Sequence, residues 1–235
     1  MPKMEQIIKR INTATGRFYS GEVDGAKLWT YPSVTTILSA VYPSGYYLEK
    51  WIRDNGEHGR IEFEKSADQG TETHVAIEEL LRGGVVPVYE EMPLKVKRGI
   101  QAFIDWYNAV KPKIIASEHI VYSDAMRYAG ACDLICEIDN EMWVVDFKTS
   151  RSLHDQHRAQ VSAYAYAQKF AENPKVALLQ LGNSTKKGYT WSEVDYEKFL
   201  NQFRHFKKTF DMLHPDAKPS IKEYPEFFTI EDIKS

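Results

Sequence analysis

Apolar residues recur along the chain at two spacings, and the spacing changes near residue 112. Before that point they fall three and four apart. PSVTTILSAV at 32–41 sets Pro32 and Ser33 ahead of an apolar run, the pattern of a helix start. YLEKWIRDNGEHG predicts a second helix, stopped at Gly56 or Gly59. RIEFEKSADQGTETHVAIEELLRGG predicts a third, with Val75, Leu80 and Leu81 as its apolar stripe and Gly83–Gly84 as its stop. LKVKRGIQAFIDWYNAVKP is amphipathic through Ile100, Phe103, Ile104 and Tyr107, and Pro112 ends it. Ahead of all these, RFYSGEVDGAKLWTYP mixes glycine, aromatic and charged residues and predicts a short hairpin.

Beyond residue 112 the period shortens to two. IIASEHIVYS, YAGACDLICEID and EMWVVDFKTS carry β-branched and aromatic residues between polar breaks, and predict three strands. HDQHRAQVSAYAYAQKFAEN predicts an alanine-rich helix closed by Asn173–Pro174. VALLQLGN and YTWSEVD read as a strand pair around STKKG, and YEKFLNQFRHFKKTFDMLH as a final amphipathic helix. The tail KEYPEFFTIEDIKS is expected to be loosely held. This order predicts an α/β protein in one integrated domain: a hairpin and helical N-terminal cap over 1–110, a core over 111–215 and a tail over 216–235.

Composition narrows the classes. Of 235 residues, 43% are hydrophobic and 27% charged, the balance of a soluble globular protein rather than a disordered chain. No apolar run reaches the length that spans a bilayer. MPKMEQIIKR has no apolar signal core, so the expected location is the cytosol, bacterial or of a phage-infected host. The net charge of −3 excludes a uniformly basic coat and leaves room for a local basic groove. Cys132 and Cys136 lie four apart on one expected strand, a spacing that disfavours a disulfide, and two thiols cannot build a four-cysteine centre. Both read as small buried apolar residues.

The chemistry lies at the end of an apolar strand. Met142, Val144, Asp146 and Lys148 share one face, and Trp143, Val145, Phe147 and Thr149 the other. If Asp139–Asn140 is a two-residue turn, Ile138 pairs with Glu141, and counting back sets Asp133 opposite Asp146. Directly paired residues hold their Cβ atoms about 4.5–5.5 Å apart, and like charges so placed repel. A cation must sit between them. Lys148 is one candidate and a divalent ion is the better one, because hard cations such as Mg²⁺ take carboxylate oxygen and keep waters for phosphate. Lys148 would then reach a scissile phosphate or the attacking water.

These residues resemble the PD-(D/E)xK nucleases. GACD at 130–133 matches the first motif, with Cys132 where a proline often stands, and DFK at 146–148 matches the (D/E)xK pair. GTETH at 70–74 resembles the Gly-x-x-x-His of the RecB-like exonuclease branch, QVSAY at 160–164 its Gln-x-x-x-Tyr helix, and YPSVTTIL the start of its small mitochondrial and phage-type members. The resemblance implies a restriction-endonuclease-like core, a central mixed β-sheet flanked by helices. It implies Asp133, Asp146, Lys148 and Gln160 as catalytic residues. It also implies Mg²⁺ or Mn²⁺, one or two ions, held by His74, Asp133, Asp146 and the backbone carbonyl of Phe147. The four-cysteine subgroup of the family is not matched, so no iron–sulfur cluster is expected.

Further residues carry two readings each. Glu78, four after His74, either orients that imidazole or sits near the metal. Glu118 is either functional or a solvated strand-end charge. Tyr42, Tyr46, Tyr47 and Trp51 either stack on bases or belong to the core. Tyr164, Arg151 and Arg158 are the expected DNA contacts, ahead of Lys95, Lys97, Arg98, Lys186 and Lys187. The resulting expectation is a metal-dependent exonuclease on single-stranded DNA or DNA ends, in replication, recombination or repair. The alternatives are an endonuclease with the same site, or an inactive nucleic-acid-binding module. With no nucleotide-binding Gly-rich loop in the sequence, unwinding would fall to a separate helicase, with a single-strand-binding or annealing protein as another partner.

Overall fold

The computed structural model describes residues 7–23, 26–42, 46–168, 170 and 174–220, with 46–48 as backbone only. The chain runs β1 (Ile7–Thr13), β2 (Gly16–Val23), β3 (Ala26–Pro32), α1 (Val34–Val41), α2 (Tyr46–Leu81) and α3 (Leu94–Val110). It continues β4 (Lys113–Ser123), β5 (Tyr128–Ile138), β6 (Glu141–Lys148), α4 (Asp155–Gln168), β7 (Lys175–Leu181), β8 (Tyr189–Glu193) and α5 (Tyr196–Leu213). Asn173, the tail 221–235 and the side chains of Tyr46 and Tyr47 lie outside the described residues. No described helix is long and apolar enough to cross a membrane.

The alternating segments build a five-stranded sheet of order β4-β5-β6-β7-β8. It is mixed: β6 and β7 are parallel, while the other neighbours are antiparallel. A parallel pair needs a crossover, and α4 supplies it. Both faces are covered. Val144, Ile135, Val176 and Leu178 pack under α1, α4 and α5. Leu134, Val145, Phe147 and Leu179 pack under α2 and α3 through Ile77, Phe103 and Trp106. β6 is therefore buried on both sides, which explains its unbroken apolar run. Cys132 and Cys136 are free and buried in these two layers.

Two features differ from the expectation. The N-terminal hairpin is a three-stranded antiparallel sheet, β1-β2-β3. It joins the core through α1: Ser33 caps that helix by accepting from the Thr36 N–H at 3.0 Å, and Ser33 also bridges to Ala129 of β5. The second expected helix stops at Gly56, as expected, where φ of 55° and ψ of −136° break α2, but the third follows it directly with no loop between them. Of the aromatic stretch, Tyr42 packs edge-on against Phe206 at 5.4 Å, and Trp51 is exposed.

Candidate active site

The β5–β6 hairpin has the expected register. Asp139 and Asn140 take φ of 52° and 63°, the left-handed pair of a two-residue turn whose twist matches the strands. Ile138 pairs with Glu141, and the ladder runs to Leu134–Val145. One step further, Asp133 comes level with Asp146. Its Oδ2 accepts the Phe147 N–H at 2.6 Å, so a buried carboxylate continues the hairpin where the backbone ladder stops.

Three other elements bring side chains to this pair. From α2, His74 Nδ1 lies 3.4 Å from Asp133 Oδ1. From β4, Glu118 sits between the Ser117–Leu134 and His119–Cys132 pairs, with φ at 45°. That left-handed backbone costs a non-glycine residue about 1–3 kcal/mol, a cost that accumulates at functional positions. From α4, Gln160 donates to Asp146 Oδ1 at 3.3 Å and to the Tyr164 hydroxyl at 2.9 Å, and accepts from Lys148 Nζ at 3.3 Å. Lys148 also pairs with Asp146 Oδ2. Gln160 thus ties the acid, the lysine and the tyrosine together.

Two glycines permit this closeness. A Cβ on Gly130 would stand 2.4 Å from the Tyr164 ring, so the glycine of GACD is the seat of that tyrosine. A Cβ on Gly70 would stand 3.0 Å from Thr149 Oγ1, where α2 crosses the end of β6.

The electrostatics follow from burial and neighbours. Burial raises Asp133, but His74, Lys148 and the Phe147 N–H outweigh it and hold its pKa below the usual carboxylate value. Burial lowers His74, but Asp133 outweighs it and leaves the imidazole above its ordinary pKa. Asp146, nearly inaccessible, is pushed up to about 6 by burial, against the pull of Lys148 and with a further push from Asp133. Glu118 is pushed up to about 7 by burial, then by Asp133 and Glu78. Four acids and bases with displaced pKa values face one cavity of about 330 Å³. A larger cavity of about 900 Å³, between the β1–β2 turn, α1 and the end of α5, gathers no comparable set.

His74, Glu118 and Asp133 each offer one donor atom, all within 4.8 Å of one another. An imidazole with two carboxylates suits a divalent ion. The Phe147 carbonyl belongs to the stretch paired with β7 at Leu179, and its ring lies edge-on to His74 at 5.9 Å. Glu78 lines the cavity but pairs with Arg82. The ring of Tyr164 is buried.

Arg151 and Arg158 do not line the cavity. Arg151 is exposed, its carbonyl held by Gln180 Nε2 at 2.9 Å, while Arg158 pairs with Asp155 at 3.0 Å and lies over Phe199. Lys95 and Lys97 fold back onto the carbonyls of Ser66 and Glu90. The cations that share the cavity with His74 and Lys148 are Arg10 and Arg17, with Thr35 beside them. No motif pointed to them. The sole signal was two arginines flanking one tight turn, which does not reveal a partner more than a hundred residues away.

No family model matches the chain. It is similar to mitochondrial genome maintenance exonuclease 1 of Xenopus tropicalis, with 30% identity over 131 residues, 52% of this chain and 36% of that protein. The protein of the same name from Mus musculus is 29% identical over 128 residues, 51% of this chain and 37% of that protein. The chain thus spans little more than a third of the curated relatives it matches. Among solved structures, SSO0001 aligns over 73% of each chain at 16% identity with a TM-score of 0.33, and at that score no fold is inferred from the likeness.

Proposed function

We propose that the chain is a metal-dependent nuclease of the PD-(D/E)xK type on a restriction-endonuclease-like core. In this reading it acts as an exonuclease on single-stranded DNA or DNA ends. The observation that carries the reading is the convergence of His74, Asp133, Asp146, Lys148 and Gln160, from α2, β5, β6 and α4, on one cavity. The similarity to proteins named as exonucleases agrees with it.

In this reading His74, Glu118 and Asp133 would hold Mg²⁺ or Mn²⁺, with Asp146 and the Phe147 carbonyl as the further ligands that the family resemblance implies. Such an ion supplies Lewis-acid stabilisation of phosphate charge and a more acidic water. The chain's own groups do the rest. Asp133 is oriented by the Phe147 N–H. His74 would release its extra proton to solvent, against the hold of Asp133, before it could ligate, because a ligating imidazole is neutral. Lys148, placed by Asp146 and Gln160, sets a positive charge where negative charge builds on the phosphate oxygens.

The test is cleavage of end-labelled linear single-stranded DNA with Mg²⁺, with Mn²⁺ and with EDTA. Shortening is expected only with metal, and Lys148→Ala and Asp146→Asn should each lose about a hundredfold or more, the scale of removing a group that stabilises transition-state charge. Ladders from each labelled end give polarity. A circular single strand cut as fast as a linear one would exclude dependence on a free end. Binding without cleavage of any DNA by the folded wild type would leave an inactive binding module.

A further inference from the structure

Four carboxylates, Glu78, Glu118, Asp133 and Asp146, line the cavity, so a phosphate entering it needs cations beside them. Asp133 is matched by His74 and Asp146 by Lys148. Among the described residues, the lining cations in no ion pair are Arg10 and Arg17. They come from a different sheet than the acids. Arg10 lies on β1 and Arg17 on β2, and the strands pair as Arg10–Tyr19 and Asn12–Arg17.

Arg17 is built in, not draped over the surface. Its N–H donates to Thr36 Oγ1 at 2.8 Å, and its carbonyl accepts from that hydroxyl at 2.9 Å and from the Ser33 N–H at 2.9 Å. Its Nε donates to Asn12 Oδ1 at 3.2 Å. The SVTT stretch that opens α1 is therefore a mount for Arg17. Thr35, between Val34 and the mounting Thr36, lines the cavity itself. Three backbone bonds fix the strand at Arg17, and the bond to Asn12 orients its guanidinium, whose other N–H groups are left to meet an anion. Guanidinium also matches phosphate oxygens in pairs.

We propose that Arg17, with Arg10 beside it, forms a phosphate subsite for the nucleic-acid strand, gripping a phosphate next to the one held at the acids. This rests on the nuclease reading for its substrate. Arg17 is a positioning residue: it sets how far the strand enters and touches no reacting atom. The phosphate is either a terminal monoester or an internal diester, and one experiment separates the two.

Fluorescein-labelled oligothymidylate, with a 5′-phosphate or a 5′-hydroxyl, is titrated with protein in EDTA over a range of salt concentrations. For single strands each lost phosphate contact lowers the slope of log affinity against log salt by about 0.7. Arg17→Gln and Arg10→Gln should each show that drop, and Arg17→Lys should keep the slope. Lys9→Gln is the control: it removes one charge from β1, but Lys9 points to the other face and pairs with Glu22 at 2.6 Å. It should leave the slope unchanged. A loss confined to the 5′-phosphate probe identifies a terminal monoester, and an equal loss on both probes identifies an internal diester. With Mg²⁺, Arg17→Gln should raise KM more than it lowers kcat. Slopes for Arg10→Gln and Arg17→Gln equal to that of Lys9→Gln overturn the subsite. If those slopes drop while no wild-type cleavage occurs with any metal, the nuclease reading fails and the phosphate subsite stands. If cleavage occurs with unchanged slopes, the reverse holds.

Discussion

At the scale of single residues, the site depends on contacts with no slack. Tyr164 packs on Gly130 and takes a hydrogen bond from Gln160. Gly130→Ala must move that ring, at an expected cost of about 1–3 kcal/mol for overpacking a core, and it should weaken cleavage through Gln160. Gly130→Ala with Tyr164→Ala should cost less than the sum of the two singles, measured by denaturant melts; full additivity would show that the two do not touch. His157 makes a second case. Its Nδ1 accepts the His154 N–H at 3.3 Å while its own N–H bonds back to the His154 carbonyl, a reciprocal cap at the start of α4. Burial, then Lys148, depresses its pKa to about 3. Because the folded pKa lies below the unfolded value near 6.5, the unfolded state binds more protons between about pH 6.5 and 3, and stability falls as pH falls through that window. Glutamine at this position can keep the reciprocal cap without titrating. Melting temperature should therefore drop less for His157→Gln than for wild type between pH 7 and pH 4.5, in EDTA. Glu118 and Asp146 push the other way, since their raised pKa values favour the folded state as pH falls, so the difference between the two proteins is the readout. Equal drops would show that His157 is not held neutral.

At the scale of elements, legibility followed how local the determining signal was. The β5–β6 register could be read because an Asp139–Asn140 turn and two-residue alternation determine it within sixteen residues, and the facing of Asp133 and Asp146 came with it. The break in α2 could be read only to within three residues. Gly56 and Gly59 look alike as helix stops, yet Gly59 stays helical and only Gly56 takes a left-handed φ. A Cβ on Gly56 would meet nothing within 4 Å, so backbone conformation alone resists a side chain there. Gly56→Ala should favour straightening α2 at that point. Spin labels at positions 50 and 64 should then move toward the roughly 21 Å that fourteen helical residues span. An unchanged distance would mean that packing, not glycine, sets the break. The third strand of the N-terminal sheet was also missed. β1 has no buried residue, so its pattern carries little of the alternation that marks a strand.

At the scale of the whole molecule, the donor set His74, Glu118 and Asp133 is assembled from α2, β4 and β5, and only tertiary structure brings it together. The motifs announced most of its members one by one, whereas the place of Arg10 and Arg17 at the cavity stayed invisible because it depends wholly on where the first sheet docks. An ion that binds only the folded chain stabilises it by about 2.7 kcal/mol at a hundred times its Kd. Mg²⁺ or Mn²⁺ should thus raise the melting temperature by roughly 5–10 °C for a chain of this size. His74→Ala should abolish most of that rise without changing the melt in EDTA by a similar amount. A rise that survives His74→Ala would place the ion elsewhere. The parallel pairing of β6 with β7 has one more consequence. A ribosome releases residues 74, 118, 133, 146 and 148 in that order, but the strand bearing the last two stays a sheet edge until α4 has crossed over and β7 has paired. Gln160, which ties Lys148 to Asp146, arrives within that same crossover. On the proposed function, a nascent chain therefore carries its acids for some time before it is armed, and the site is completed beside the message that encodes it only once β7 is in place.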